Sequence, residues 1–201
     1  MVMVRQSKRT SRLMLIEHFA KRGYTRGAEI GVREAAFSRE MCRRIPGIEL
    51  LCVDPWLDYP SRRRQGAQRK QEACYRVALE RLAPYFANVR IRRAFSVDVA
   101  KRVKDGSLDF VYIDANHERE HVTADLEAWA PKVQSGGVVS GDDYDPADTR
   151  GVAPAVRAYA ESAGVELVQL TFEPNRRRQQ PTAKRRTWNP YWGTSWWWDQ
   201  P

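Results

Sequence analysis

Cysteine is scarce in this chain. The 201 residues hold three, Cys42, Cys52 and Cys74, and no two of them form a C-x-x-C pair. An odd number at these spacings supplies neither a disulfide framework nor a zinc ribbon, so the three are expected to be reduced, mostly buried thiols. Long apolar runs are missing too, and nothing approaches the roughly 18 residues of a membrane span. The N-terminal stretch MVMVRQSKRTSRLMLIEHF is basic, but its apolar run Leu13–Ile16 is too short for a signal peptide. A cytoplasmic location is the expectation. What the chain does have is 42% hydrophobic residues, enough for one good core, and a single domain over residues 1–201 is expected.

The formal net charge is +9, with Arg and Lys gathered at Arg5–Arg12, Arg62–Lys70 and Arg176–Arg186. A basic surface favours anionic partners such as nucleic acid, nucleotides or phosphorylated sugars. The plainer reading is a solvated, arginine-rich surface.

Strand and helix patterns alternate along the chain. Ser11 to Arg22 carries Leu13, Ile16, Phe19 and Ala20 at helical spacing, as an amphipathic helix on a core would. Residues 27–32 read as a strand, 36–44 as a helix stopped by Pro46-Gly47, and 48–53 (IELLCV) as a strand ending in Asp54-Pro55-Trp56. Helix is expected over 72–83, strand over 89–93, a short helix over 97–103 and strand over 108–113 (LDFVYI). A helix over 122–130 runs up to Pro131. Gly136-Gly137 is then a turn feeding a fifth strand, residues 152–163 form a helix closed by Gly164, and 165–172 form a sixth strand. This rhythm predicts an α/β domain, doubly wound, with a mostly parallel sheet and helices on both faces. Such folds bind ligands beyond the carboxyl ends of their strands, where Asp54, Asp114 and the pair Asp142-Asp143 stand.

Four motifs in order, AEIGV, VDPW, SLDFVYIDANH and GGVVSGDDY, resemble the class I S-adenosylmethionine-dependent methyltransferases. Within them the likeness is to the small branch that includes the macrocin-type sugar O-methyltransferases, over about residues 26–165. The resemblance implies a Rossmann-like, seven-stranded sheet with an antiparallel last strand. Residues 1–25 would be a basic segment and helix, 26–172 the cofactor-binding core, 173–190 a basic loop and 191–201 the last strand. It implies further that Glu29, Ile30 and Gly31 lie against the methionine part of S-adenosylmethionine, with Asp114 also at the cofactor. Asp54 would accept hydrogen bonds from the ribose hydroxyls, as an ionised carboxylate can, and Phe95 and Ser96 would border the adenine. Two positions depart from the pattern. Ala35 stands where the family usually has a second glycine, and Phe95 where an acidic residue is common, which suits ring stacking on the adenine.

Carboxylates from the ends of two adjacent strands, Asp114, Asp142 and Asp143, suit a hard divalent cation with oxygen ligands, and Mg2+ is expected. The resemblance assigns these three to the ion and His117 to the base that takes a proton from the acceptor hydroxyl. The alternative is that Asp142 and Asp143 only cap the following turn. His117-Glu118-Arg119-Glu120-His121 also spells the zinc-protease pattern H-E-x-x-H. That pattern belongs well inside a helix, whereas His117 follows Asp114 by three residues and should lie on a loop, with His121 on the flank of the next helix. Nothing in the spacing of Glu127 or Glu161 marks a third ligand, so a chance match is expected.

The terminal TWNPYWGTSWWWDQP is read as the last strand over 194–198, its tryptophans facing the two helix layers alternately, with Trp188, Tyr191 and Trp192 freer to touch a ligand. The basic segments 62–70 and 176–186 both follow strand ends and would overhang the cofactor mouth, either recruiting an anionic acceptor or remaining disordered. The function expected is Mg-assisted O-methylation of a sugar-like hydroxyl on a small acceptor, phosphorylated or nucleotide-linked. A nucleic-acid-directed methyltransferase, or a lapsed member that only binds nucleic acid, is the alternative.

Overall fold

The computed structural model describes residues 1–7, 11–58, 67–172 and 194–201. In chain order they form β1 (Val2–Ser7), α1 (Ser11–Lys21), β2 (Arg26–Ile30), α2 (Ala36–Arg44), β3 (Glu49–Val53) and α3 (Ala67–Leu82). Then follow β4 (Val89–Arg92), α4 (Ser96–Ala100), β5 (Leu108–Ile113), α5 (Arg119–Trp129), β6 (Val133–Gly141), α6 (Val152–Ala163), β7 (Leu167–Phe172) and β8 (Ser195–Asp199). All eight strands lie in one sheet of order β1-β7-β8-β6-β5-β2-β3-β4. Every pairing is parallel except those of β8, which runs antiparallel between β6 and β7.

Helices cover both faces, and the side-chain alternation of the strands decides which residues meet which layer. Phe110 and Tyr112 of β5 join the cluster built on Leu15, Phe19, Phe37 and Met41 of α1 and α2 and Ala78 and Leu82 of α3. Val111 and Ile113 join the cluster of Val99, Leu126, Trp129 and Val156 from α4 to α6. All six residues of β5 are buried, as a central parallel strand covered twice requires. The tryptophans of β8 divide in the same way: Trp197 belongs to the first cluster, and Trp196 and Trp198 to the second. The three cysteines are free thiols, and all are buried. No helix among the described residues is long and apolar enough to cross a membrane.

The α/β doubly wound fold is the one expected, and the seven expected strands are all present, with an eighth beside them. Residues 2–7, read only as part of a basic N-terminal segment, pair in parallel with β7 from Val2↔Leu167 to Ser7↔Phe172. The stretch VMVRQS lacks the long apolar pattern of an interior strand, and its strand state depends on the edge that β7 offers. Gly136-Gly137 lies inside β6, although it reads as a turn. The register shifts there between Leu108 and Phe110, and a Cβ on Gly137 would come within 2.5 Å of the Asp109 carbonyl. Gly164 closes α6 as expected, at φ 66, its N–H donating to the carbonyls of Ala160 and Glu161. Residues 62–66 and 176–186 of the two basic segments, the rest of the 173–190 loop, and Trp188, Tyr191 and Trp192 lie outside the described residues.

What the fold contributes to the site is alignment. Ile30 pairs with both Val53 and Ile113, and Ile113 pairs with Gly141, so β2, β3, β5 and β6 end level with one another. Replacing Trp196, wholly buried against Trp198 at 5.2 Å, should test how much of this alignment the tryptophan strand holds. Trp196→Ala is expected to lower unfolding stability by about 3–5 kcal/mol in a denaturant titration.

Candidate active site

Because four strands end level, the residues just past them meet at one rim. The ladder continues one residue beyond each end: Gly31 N–H donates to Val53 O (2.9 Å), Asp114 N–H to Ile30 O (2.7 Å), and Asp142 N–H to Ile113 O (3.2 Å). Gly31 has φ +90, and a Cβ there would lie 2.0 Å from the Asp114 carbonyl, so only glycine lets these two turns touch. Two cavities open over them and share Gly31, Ala115 and Asn116. One, of about 450 Å³, is lined by Arg12, Glu29, Phe37, Asp114, His117 and Asp143 among others. The other, of about 270 Å³, is lined by Ile30, Pro55, Phe95, Ser96, His121 and Asp125 among others. Together they make one groove across the strand ends.

Glu29 forms the floor of the first cavity. Burial pushes its carboxyl up to about 8, against the hydrogen bond donated by Ser38 Oγ. Asp54 lines neither cavity. Its Oδ2 accepts the Arg33 N–H (2.8 Å) and its Oδ1 the Trp56 N–H (2.7 Å), which leaves each oxygen with acceptor capacity to spare. Burial raises its pKa in spite of those bonds. At the far end Phe95 is 46% exposed over the second cavity, and Ser96 Oγ donates to Asp125 Oδ1. Asp125 is nearly buried, and burial pushes it up to about 6.

Asp114, His117 and Asp143 stand together, with one ligand-capable atom from each lying within 4.8 Å of the others. His117 Nε2 is 3.1 Å from Asp143 Oδ2 and 3.7 Å from Asp114 Oδ1. Asp114 foremost, and Asp143 after it, raise the imidazole pKa against a partial burial that lowers it. Asp143 sits at φ 57 and is itself raised, by burial and by Asp114. The structure sets Asp142 apart from this trio. It is wholly buried, its Oδ2 receives Nε of Arg12 (2.6 Å) as well as Nη2, and its Oδ1 accepts Ser195 Oγ (3.1 Å). Arg12 Nη2 also lies 3.2 Å from Asp114 Oδ2. Burial pushes Asp142 up to about 6, with Arg12 pulling it back.

Of the residues singled out in the sequence, Glu29, Gly31, Asp114, His117 and Asp143 therefore face one cavity and Ile30, Phe95 and Ser96 the adjoining one. His121, in the first turn of α5, turns to the second cavity and pairs with Glu118 Oε2 at 3.6 Å. It takes no part in the trio, so the two histidines of the protease pattern do not share a ligand site among the described residues. Arg12, Ser38 and Asp125 also stand at the site, on no signal that the sequence carries locally. Arg12 stands in a basic run that reads as surface, and nothing local distinguishes it from its neighbours.

A level row of strand ends carrying a glycine turn and an acidic residue after the next strand is the ligand-binding rim of a Rossmann-like fold, and the antiparallel β8 is what the class I S-adenosylmethionine-dependent methyltransferase resemblance implies for its last strand. Residues 27–144, more than half of the chain, match the family described as Methyltransferase domain, and the protein belongs to that family. Solved structures agree in fold. An O-methyltransferase from Bacillus cereus in complex with SAH aligns over 94% of this chain and 80% of its own, with a TM-score of 0.63 at 16% identity. TomG, the Streptomyces achromogenes O-methyltransferase involved in tomaymycin synthesis, solved with SAM, aligns over 94% and 79%, with a TM-score of 0.60 at 19% identity. A Staphylococcus aureus protein proposed to be a caffeoyl-CoA O-methyltransferase aligns over 94% and 82%, with a TM-score of 0.64 at 15% identity. No protein of curated function matches the sequence.

Gly31→Ala should force the two turns apart. The expected result is a loss of about 2 kcal/mol or more in a thermal or denaturant melt, with cofactor binding undetectable by calorimetry.

Proposed function

We propose that the protein transfers the methyl group of S-adenosylmethionine to the oxygen of a sugar-like hydroxyl on a small acceptor, with His117 as the base. The observation that carries this reading is the Asp114–His117–Asp143 trio at the wall of the groove. The donor supplies an electrophilic methyl group on a sulfonium. In the proposed pose Glu29 and Gly31 take the methionine end, Asp54 the ribose and Phe95 with Ser96 the adenine. Asp125, on the same cavity, offers the carboxyl that position 95 lacks. As the C–S bond breaks and the C–O bond forms, the hydroxyl proton passes to His117 Nε2. The imidazolium so formed lies between two carboxylates that stabilise it.

The acceptor has room beyond His117 and Asp143, in a cavity of about 430 Å³ whose wall includes Asp145, Asp148, Thr149 and Arg150. Carboxylates accept hydrogen bonds from neighbouring hydroxyls, which suits a polyol. The described mouth, with Asp58, Asp143, Asp145 and Asp148, is acidic, and this weighs for a small hydroxylated molecule over a nucleic-acid strand. A phosphorylated or nucleotide-linked acceptor would need the basic segments 62–66 and 176–186, outside the described residues. Membership of the macrocin-type branch stays part of this proposal and rests on the motif resemblance alone.

Binding of S-adenosylmethionine by calorimetry is the first test, and absence of heat would falsify the reading. His117→Ala should retain that binding within about twofold and lose about 10²–10⁴ in turnover against a responsive hydroxylated acceptor. Because the base must be deprotonated and its pKa is raised, the rising limb of the pH–rate profile should lie above about 6.5, the value of a free imidazole. Asp114→Asn or Asp143→Asn should move that limb to lower pH.

A further inference from the structure

Helix α1 brings the guanidinium of Arg12 to the acidic rim. Arg12, the second residue of that helix, binds Asp142 through both Nε and Nη2 and reaches Asp114 Oδ2 with Nη2. Its side chain is only 13% exposed, and what is exposed lines the cavity shared with Glu29 and Asp114. Asp142 has no accessible side-chain surface and spends its second oxygen on Ser195 Oγ. The Tyr112 hydroxyl, buried and without a partner among the described residues, feels the charges of Asp142, Arg12, Asp114 and Glu29.

A magnesium ion held by Asp114 and Asp142 would need oxygens of both at about 2.0–2.1 Å. A guanidinium already spans those two carboxylates. Inserting a divalent ion there would strip a buried arginine of its counter-ions, at a cost of the order that breaking a buried ion pair carries. The donors that remain, Asp114, His117 and Asp143, include an imidazole nitrogen, which magnesium disfavours. That nitrogen, Nε2, is also the atom that must accept the hydroxyl proton. The residues present therefore do not fit the magnesium site that the sequence suggests.

We propose that Arg12 is the resident cation of this active site, bridging Asp114 and Asp142 in place of a divalent metal and leaving His117 free as the base. Arg12 is a positioning residue. It orients Asp114, and Asp114 in turn holds the His117 ring. For its catalytic consequence the proposal rests on the methyltransferase reading, but its cation-binding consequence does not. Without Arg12, the carboxylates of Asp114 and Asp142 that it bridges would lose their shared counter-ion, and a pair of uncompensated carboxylates attracts divalent ions.

The test is a titration of the full chain with Mn2+ alone, followed by electron paramagnetic resonance, on the wild type, Arg12→Gln and Arg12→Lys. The wild type is expected to bind Mn2+ with a Kd of about 1 mM or weaker, Arg12→Gln at least about tenfold more tightly, and Arg12→Lys like the wild type. Wild-type turnover should be unchanged by EDTA. Arg12→Gln should lose most turnover, with Arg12→Lys restoring part of it. Wild-type binding of Mn2+ at tens of micromolar, or abolition of wild-type turnover by EDTA, overturns the proposal. Both of these measurements use only the wild type, so they decide the matter even where Arg12→Gln fails to fold. If S-adenosylmethionine does not bind at all, the methyltransferase reading fails on its own, and the Mn2+ titration still judges Arg12.

Discussion

Four parallel strands ending at the same level are the constraint on which the rest of this molecule depends. Parallel pairing of β2 with β3 and β5, and of β5 with β6, sets Gly31, Asp54, Asp114 and Asp142 side by side, although the chain spaces them over more than a hundred residues. The hydrogen-bond ladder does not stop at the last strand residue. It runs on through the backbone of Gly31, Asp114 and Asp142, so the first residue of each turn is tied to the neighbouring strand. Both aromatic-rich layers press on the same strands, and the antiparallel β8 closes the gap between β6 and β7 with three tryptophans.

A row of acidic side chains held this close is electrostatically costly, and the structure meets the cost locally. Burial pushes the Glu29 carboxyl up to about 8, while at Asp142 the contact with Arg12 works against the same effect and favours the charged form. Asp114 and Asp143 share the imidazole of His117. Backbone strain gathers at the same place. All four non-glycine residues with positive φ among those described, Arg33, Ala35, Trp56 and Asp143, lie in the turns around the groove. At about 1–2 kcal/mol each, such conformations persist only where surrounding contacts over-determine them. Ala35 illustrates this. It occupies the left-handed region at φ 55, the conformation that a glycine at its position would take without strain, and it is held there by complete burial.

The helices α2 and α6 were legible in the sequence to the residue, because each is a periodic apolar segment bounded by Pro46-Gly47 or by Gly164. The strand LDFVYI was equally plain, as a run of strand length that is apolar and aromatic apart from Asp109. Asp114 and His117 could be picked out as neighbours in space because both belong to one strand end and its turn. The strand state of residues 2–7 was not legible, since its pairing partner lies some 165 residues away. Neither was the separation of Asp142 from Asp143. Both lie past the end of β6, Asp143 at a positive φ, and which of them meets the groove depends on where the neighbouring helix delivers its arginine.

The sequence by itself determined the layers, the order of the motifs and the presence of carboxylates just past the strand ends, because period and turn chemistry are local properties of a chain. Tertiary structure alone decided that one aspartate is buried on an arginine and its neighbour is turned to a histidine. Arg12 and Asp142 stand 130 residues apart, and their pairing exists only once α1 has packed on the sheet. Nothing in the residues around either one records it.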